Sequence, residues 1–302
     1  MEGTERYNAL RPYLAARFGC EVRKICIDGG FTCPNRDGRV GYGGCIFCGG
    51  RGAGEHIDPA KSIREQVETT LATPRRRPTR YIAYFQNFTN TYAPVYILRE
   101  RYDAALTGDP RICALAIGTR PDCLGDDVLC LLSSYRERLP VICELGLQTA
   151  SDTTAERINR GYKTSVFVSA VRRLAAEGIE PVVHLIAGLP GEGETEFLDT
   201  VRLINTLPVA GVKLHSLYIM EGTRLADIYR AGGFSPIGEE KYVACAAHAI
   251  AALRSDIIIH RLTGDCPAGL LVAPEWNADK SRIIEKIRRK LTEENITQGC
   301  RA

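Results

Sequence analysis

From residue 22 onward the chain alternates short apolar runs rich in β-branched and aromatic residues with longer stretches of helical period. Runs at Val22–Ile27, Tyr81–Asn87, Ile112–Gly118, Val141–Gln148, Pro181–Ala187 and Val212–Tyr218 predict strands. Between them, Ser62–Leu71, Val95–Leu106, Asp126–Arg138, Val166–Glu177 and Glu194–Leu207 carry the apolar spacing of amphipathic helices. Nearly continuous apolar strands separated by helices predict a parallel sheet with helices outside it. Six such units are too few for a closed eight-stranded barrel and suit a partial, open (β/α)6 barrel. Beyond the sixth strand come a helical stretch near Lys241–Arg254, the apolar run Ile257–Ile259 and a basic helix near Lys280–Leu291. The expected organisation is an N-terminal segment (1–21), a (β/α)6 core (22–220) and a C-terminal extension (221–302) covering the open side.

The polar exceptions inside these strands fall into a pattern. Period-two alternation puts Glu144, Gly146 and Gln148 on one face of the fourth strand, and Lys213, His215 and Leu217 on one face of the sixth. His184 lies within the fifth strand. The second ends in Gln86-Asn87-Phe88-Thr89 and the third in Thr119-Arg120-Pro121-Asp122. A carboxylate in mid-strand is costly inside a barrel unless it is paired or used. Five strands delivering polar groups toward one rim describe a lined cavity, and open α/β sheets bind ligands at the C-terminal ends of their strands.

Composition narrows the setting. At 302 residues, 45% of them hydrophobic, the chain can bury a substantial core. The N-terminus lacks a signal-peptide pattern, and the longest uncharged apolar stretch, Val243–Leu253, is too short to span a bilayer. A cytoplasmic protein without membrane contact is expected. Twelve cysteines are then reduced rather than a disulfide framework. Residues such as Cys130 and Cys245, in apolar helical contexts, are expected to be small buried hydrophobes. The net charge of +3 is mild, but Arg75-Arg76-Arg77 with Arg80, and Lys286, Arg288, Arg289 and Lys290, form two basic clusters suited to phosphate.

The sharpest chemical signal lies directly after the first strand. Cys33, Cys45 and Cys48 stand in a C-x11-C-x2-C arrangement within a glycine-rich loop. Three thiolates can hold three irons of a four-iron cluster and leave the fourth iron open to a small molecule. The same spacing accommodates zinc, with His56 as a fourth ligand. A position at the barrel rim favours catalysis over a structural zinc.

Taken with Ile27-Asp28-Gly29-Gly30-Phe31-Thr32-Cys33-Pro34-Asn35-Arg36-Asp37-Gly38, Gly44-Cys45-Ile46-Phe47-Cys48, Gln86-Asn87-Phe88-Thr89-Asn90-Thr91, Ile117-Gly118-Thr119-Arg120-Pro121-Asp122, Glu144-Leu145-Gly146-Leu147-Gln148, Ile158-Asn159-Arg160-Gly161 and His260-Arg261-Leu262-Thr263-Gly264-Asp265, the chain resembles the radical S-adenosylmethionine (radical SAM) enzymes. Within them it is most similar to the branch related to the elongator catalytic subunit, of the YhcC/YtqA type. The resemblance implies that Cys33, Cys45 and Cys48 ligate a [4Fe–4S] cluster whose open iron chelates S-adenosylmethionine. Reductive cleavage would yield a 5′-deoxyadenosyl radical, with flavodoxin or ferredoxin as electron donor. It further implies Gln86, Asn87, Arg120, Gln148, Arg160 and His184 at the cofactor, with Arg160 pairing the methionine carboxylate. Glu144, Lys213 and His215 would act on the substrate. The implied substrate is a tRNA wobble uridine, converted from carboxymethylaminomethyl to aminomethyl. A small-molecule or peptide substrate, and a zinc-stabilised RNA-binding protein without catalysis, are the competing readings.

Overall fold

The computed structural model describes residues 6–52, 57–58, 60–267 and 269–302. Helix α1 (Leu10–Phe18) leads into β1 (Glu21–Ile27), followed by α2 (Ile63–Leu71), β2 (Thr79–Phe85), α3 (Val95–Leu106) and β3 (Ile112–Thr119). Next come α4 (Asp126–Arg136), β4 (Val141–Gln148), α5 (Asp152–Arg157), α6 (Thr164–Ala176), β5 (Glu180–Ala187), α7 (Glu194–Asn205) and β6 (Gly211–Ser216). The C-terminal part contributes β7 (Ile219–Met220), α8 (Arg224–Arg230), α9 (Glu239–Ala252), β8 (Ile258–Arg261), β9 (Leu271–Ala273) and α10 (Lys280–Glu293).

The main sheet runs β1-β2-β3-β4-β5-β6-β8, every neighbouring pair parallel, and curls into a half-barrel. The six expected strands are present. The sheet is one strand wider than the alternation predicts, because the Ile257–Ile259 run of the extension supplies a parallel strand beside β6. Its outer face is the main core: Ile25, Phe85, Ile117, Leu145, Leu185 and Leu214 pack beneath the helices. Local chemistry sets helix boundaries, as at α2. There Ser62 Oγ accepts the Glu65 N–H and the Glu65 carboxylate accepts the Ser62 N–H, a capping box contributing about 1 kcal/mol.

The inner face is closed from below by the N-terminal segment. Ala9 bridges to Ile259 of β8, and the Ile259 N–H donates to Asn8 O at 2.8 Å. From there α1 crosses to β1, spanning both edges of the sheet, and buries Leu14 against Ile82, Ala114, Ile142 and Val182. Arg17 locks the helix to β5 through a bidentate pair with Glu180 (2.7 and 3.0 Å). The half-barrel therefore opens at the C-terminal ends of its strands and not at the other end.

Among the described residues no helix is long and apolar enough to cross a membrane. Cys245 is buried as expected, but Cys130 is exposed. The buried stripe of α4 is Val128, Leu131, Leu132 and Tyr135, at helical spacing, and Cys130 points away from it.

Candidate functional site

The loop after β1 is stitched to itself and to the far side of the rim. The Cys48 N–H donates to Cys45 O at 3.0 Å, a turn that sets these two cysteines side by side. Gly44, at φ 77°, donates its N–H to Asn35 O at 2.8 Å; a β-carbon there would come within 3.0 Å of the Arg36 guanidinium. Arg36 in turn donates to the carbonyls of Cys48 (2.9 Å) and Gly49 (2.5 Å). From beyond α5, Asn159 Nδ2 donates to Gly44 O (2.8 Å), while Asn35 Nδ2 donates to Asn159 O (2.6 Å). Ile46 is buried with Ile158, Leu189 and Leu217. The Ile158-Asn159 stretch is thus a clamp on the cysteine loop.

Cys33, Cys45 and Cys48 are all half-buried and reduced, none of them in a disulfide. Burial pushes the Cys45 thiol up to about 12, the neighbouring Cys48 and Cys33 add to it, and Arg120 opposes it. Such thiols ionise when a cationic group binds them, and metal binding releases their protons. Asn35 Nδ2 lies 3.9 Å from Cys45 Sγ, placed to donate to a bound thiolate. The donor set is soft and suits an iron–sulfur cluster. Among the described residues no three His, Cys, Asp or Glu side chains gather around the position of a single metal ion. His56, needed for the zinc alternative, lies outside the described residues.

Beside this loop, the tips of β2 and β4 carry buried polar atoms without partners. They are both amide atoms of Asn87, Thr89 Oγ1, Asn90 Oδ1 and Gln148 Oε1. Buried polar groups are satisfied in more than nine cases in ten, so a group of orphans gathered at one rim marks a candidate ligand site. Gln148 holds a left-handed backbone, φ 63°, a strained conformation for a non-glycine residue. Gly146 makes room for it: a β-carbon there would lie 2.4 Å from Gln148 Nε2. Gln86 joins β1 through its N–H to Ile27 O at 3.4 Å.

The two arginines are engaged within the rim itself. Arg160 is 1% exposed, and its guanidinium donates to Tyr162 O (3.1 Å), Leu147 O and Thr149 O (2.7 Å each), Thr164 Oγ1 (3.2 Å) and Asp152 (3.4 Å). All five N–H groups are used in pinning the turn after β4, which leaves none for a ligand carboxylate. Arg120 forms a fork with Asp122 (2.6 and 2.9 Å), donates to Arg160 O (2.9 Å) and stacks over Tyr162. Arg160 thus braces the turn after β4, whereas the bonds of Arg120 to Asp122 and Arg160 use three of its five N–H groups and its charge acts on Cys33 and Cys45.

Deeper in the half-barrel lies a charged cluster around Glu144. Its carboxylate, fully buried, accepts from Tyr84 OH (2.5 Å), Lys24 Nζ (2.8 Å), His184 Nε2 (3.0 Å) and Lys213 Nζ. Burial alone would raise the Glu144 pKa; Lys213, Lys24 and His184 together hold it well below the usual carboxylate range. Burial pulls Lys213 down to about 7, against the attraction of Glu144 and helped by Lys24 and Arg261. His184 is depressed to about 4, first by burial and then by Lys213. It stacks on His215 at 5.2 Å, whose Nε2 has no partner. Arg261 and His260, from β8, complete the surroundings. The structure thus brings Glu144, Lys213, His215 and His184 together. It adds Lys24, Tyr84, His260 and Arg261, which the strand alternation did not single out, although Lys24 stands between Val22 and Cys26 on the inward face of β1.

A half-barrel open at its strand tips, with three reduced thiols on the first loop, is the scaffold of an enzyme that seats a thiolate-held group beside a ligand. Residues 33–204 match the radical SAM superfamily and residues 209–293 the Radical_SAM C-terminal domain, and the chain belongs to the radical SAM superfamily of enzymes. It is 37% identical over 301 residues to the uncharacterized protein YtqA of Bacillus subtilis, covering 98% of this chain and 92% of YtqA. To the protein YhcC of Escherichia coli it is 38% identical, covering 94% and 91%. A tRNA uridine(34) acetyltransferase of Methanocaldococcus jannaschii is 25% identical over 64% of this chain and 35% of its own length. Among solved structures, the Elp3 of Methanocaldococcus infernus superposes with a TM-score of 0.69 at 17% identity, over 92% of this chain and 64% of that one, a likeness of fold.

Proposed function

We propose that Cys33, Cys45 and Cys48 hold a [4Fe–4S] cluster, that S-adenosylmethionine binds beside it at the tips of β2 to β5, and that the substrate is a modified wobble uridine of tRNA. The observation that carries the reading is the row of orphaned buried polar atoms at Asn87, Thr89, Asn90 and Gln148, next to three reduced thiols. When bound and reduced by a donor such as flavodoxin or ferredoxin, cluster and S-adenosylmethionine supply hydrogen-abstracting chemistry. Gln86, Asn87 and Gln148 would contact S-adenosylmethionine, with His184 below them. Arg120 and Arg160 would keep the rim in register.

The interior supports an anionic substrate group. Lys24, Lys213 and Arg261 face one carboxylate, Glu144, so the cluster carries excess positive charge while His184 is neutral at pH 7. A carboxymethylaminomethyl side chain presents a carboxylate of the complementary sign. Its methylene, flanked by nitrogen and carboxylate, would give up a hydrogen atom to the 5′-deoxyadenosyl radical; passing the remaining electron to an acceptor such as the oxidised cluster would leave an imine, which water would cleave to aminomethyl and glyoxylate. Lys213 Nζ, poised near pH 7, can hold or release the proton that the substrate nitrogen exchanges, with Glu144 fixing its position. The resemblance to a tRNA uridine(34) enzyme supports the choice of nucleoside.

The test is anaerobic reconstitution with iron and sulfide analysis, followed by nucleoside analysis of tRNA from cells with and without the gene. About four irons per chain, and loss of aminomethyluridine with its carboxymethylaminomethyl precursor accumulating, are expected. A protein with one tight zinc, or an unchanged nucleoside profile where no second enzyme substitutes, overturns the reading and returns the substrate to small molecules or peptides.

A further inference from the structure

The two basic clusters of the sequence meet different fates in the fold. On α10 the charges are spent internally: Lys286 pairs with Glu239, Arg289 with Glu293 and Lys290 with Glu294. The arginine run before β2 is not. It lines a concavity of about 450 Å3 together with Arg11, Arg23 and Glu21. Glu21 is engaged by Arg23 at 3.0 Å. Among the described residues no carboxylate lies within ion-pair distance of Arg11, Arg75, Arg76 or Arg77. Five guanidinium groups against one carboxylate exceed the +3 of the entire chain.

This concavity sits at the N-terminal ends of β1 and β2, where Glu21 pairs in register with Thr79. The cysteine loop leaves the opposite end of β1, after Ile27. Six residue steps along the strand separate the two by roughly 20 Å. No aromatic residue lines the concavity, so it offers no platform for stacked bases. Guanidinium forks recognise phosphate oxygens, and a run of them supplies charge without base-edge geometry.

We propose that this arginine-lined face binds the sugar–phosphate backbone of a folded RNA, away from the nucleotide being modified. The RNA is then gripped at one end of the half-barrel and processed at the other. The inference rests on the tRNA reading above and adds where the body of the RNA lies. A ligand that touches both ends must reach about 20 Å beyond the rim, so an isolated anticodon stem–loop would engage the rim alone.

The experiment measures binding of an unmodified full-length tRNA transcript and of its anticodon stem–loop over a range of KCl concentrations. The proteins are the full chain, the triple variant Arg75→Gln/Arg76→Gln/Arg77→Gln, and a control, Lys286→Gln/Arg289→Gln/Lys290→Gln; thermal unfolding checks that each folds. Exposed charge pairs contribute a factor of roughly two to five each, so the arginine variant should bind full-length tRNA about tenfold or more weakly. Its slope of log K against log salt should flatten by about 2, at roughly 0.7–0.9 for each phosphate no longer neutralised. The stem–loop should bind wild type and the arginine variant alike, and the control should match wild type. Unchanged tRNA affinity and slope in the arginine variant would overturn the inference while leaving the tRNA reading intact. An equal loss with the stem–loop would also overturn it, by placing these arginines at the rim's ligand. Failure of wild type to bind tRNA at all would overturn both.

Discussion

Replacing Glu144 by Gln tests whether the charged cluster inside the half-barrel is a coupled unit. The substitution keeps the shape, removes the charge that Lys24, Lys213 and His184 face, and exchanges one acceptor oxygen for an amide donor. Lys213 is 6% exposed and has no water to turn to. Removing one partner of a buried pair typically destabilises by about 3–5 kcal/mol, because the remaining charge is buried without compensation. Lysine can escape by losing its proton. Because burial already holds Lys213 at about 7 in the wild type, that escape adds little further cost at pH 7 and keeps the loss at the lower end of this range. A loss of about 3 kcal/mol at pH 7 is therefore expected from guanidinium melts followed by circular dichroism. The double variant Glu144→Gln/Lys213→Met removes both charges and should recover most of it, a coupling of about 2 kcal/mol or more. The pH dependence adds a second check. The folded pKa of Glu144 lies below its ordinary value of 4.5, so its contribution is present above that pH and is lost as pH falls through the folded value. The Gln variant should lack this acid limb. A single variant as stable as wild type, or a double variant as unstable as the sum of the singles, would refute the coupling.

Cys33→Ala, Cys45→Ala and Cys48→Ala should each abolish iron incorporation in anaerobic reconstitution, whereas Cys130→Ala and Cys245→Ala retain it; full iron content in any of the first three would remove that residue from the ligand set. Arg160→Ala should cost about 3 kcal/mol in a denaturant melt, since it strips donors from the buried carbonyls of Leu147 and Thr149. A variant of wild-type stability that instead binds S-adenosylmethionine weakly would restore Arg160 as a ligand-pairing residue. Gly146→Ala should leave stability within about 1 kcal/mol, because the colliding atom is the movable end of Gln148. Its affinity for S-adenosylmethionine, measured by calorimetry on reconstituted protein, should nevertheless fall, and an unchanged affinity would exclude Gln148 from the site.

The outward half of the fold was legible because its signal is local. Strands such as Val141–Gln148 announce themselves by apolar content, and their βα spacing forces a parallel order. The seventh strand escaped as a strand because Ile257–Ile259 is too short for periodicity to separate from a buried loop, and only pairing with β6 settles it. The thiols and the inward faces of β4 and β6 were readable for the same local reason: three cysteines and two alternating polar sets. What sequence could not supply is the meeting of distant charges. Lys24 and Tyr84 become partners of Glu144 only when the sheet curls, 120 and 60 residues away along the chain. Arg160 reads like a ligand-binding group from its place beside the rim, and only the fold shows its five donors engaged by Leu147, Thr149, Tyr162, Thr164 and Asp152. Arg23 joins the Arg75–Arg77 run through the register of β1 on β2, and Arg11 through the placement of α1 beside β1.

The plug formed by α1 gives these two ends of the molecule their separate roles. With Leu14 seated among Ile82, Ala114, Ile142 and Val182, nothing can pass through the half-barrel from the arginine face to the thiols. A ligand bound at both must therefore run along the outside, and the reacting group must enter at the strand tips. Glu144 and its cations lie below the rim, so on the proposed reading a side chain that extends inward would be favoured over a bare base. On the proposed reading that geometry would separate the labour: the outer arginines would fix the body of the RNA by charge, the rim would accept one projecting group, and the buried cations would read its sign. Each can be altered without the others, which is why affinity, iron content and stability report on different parts of the molecule.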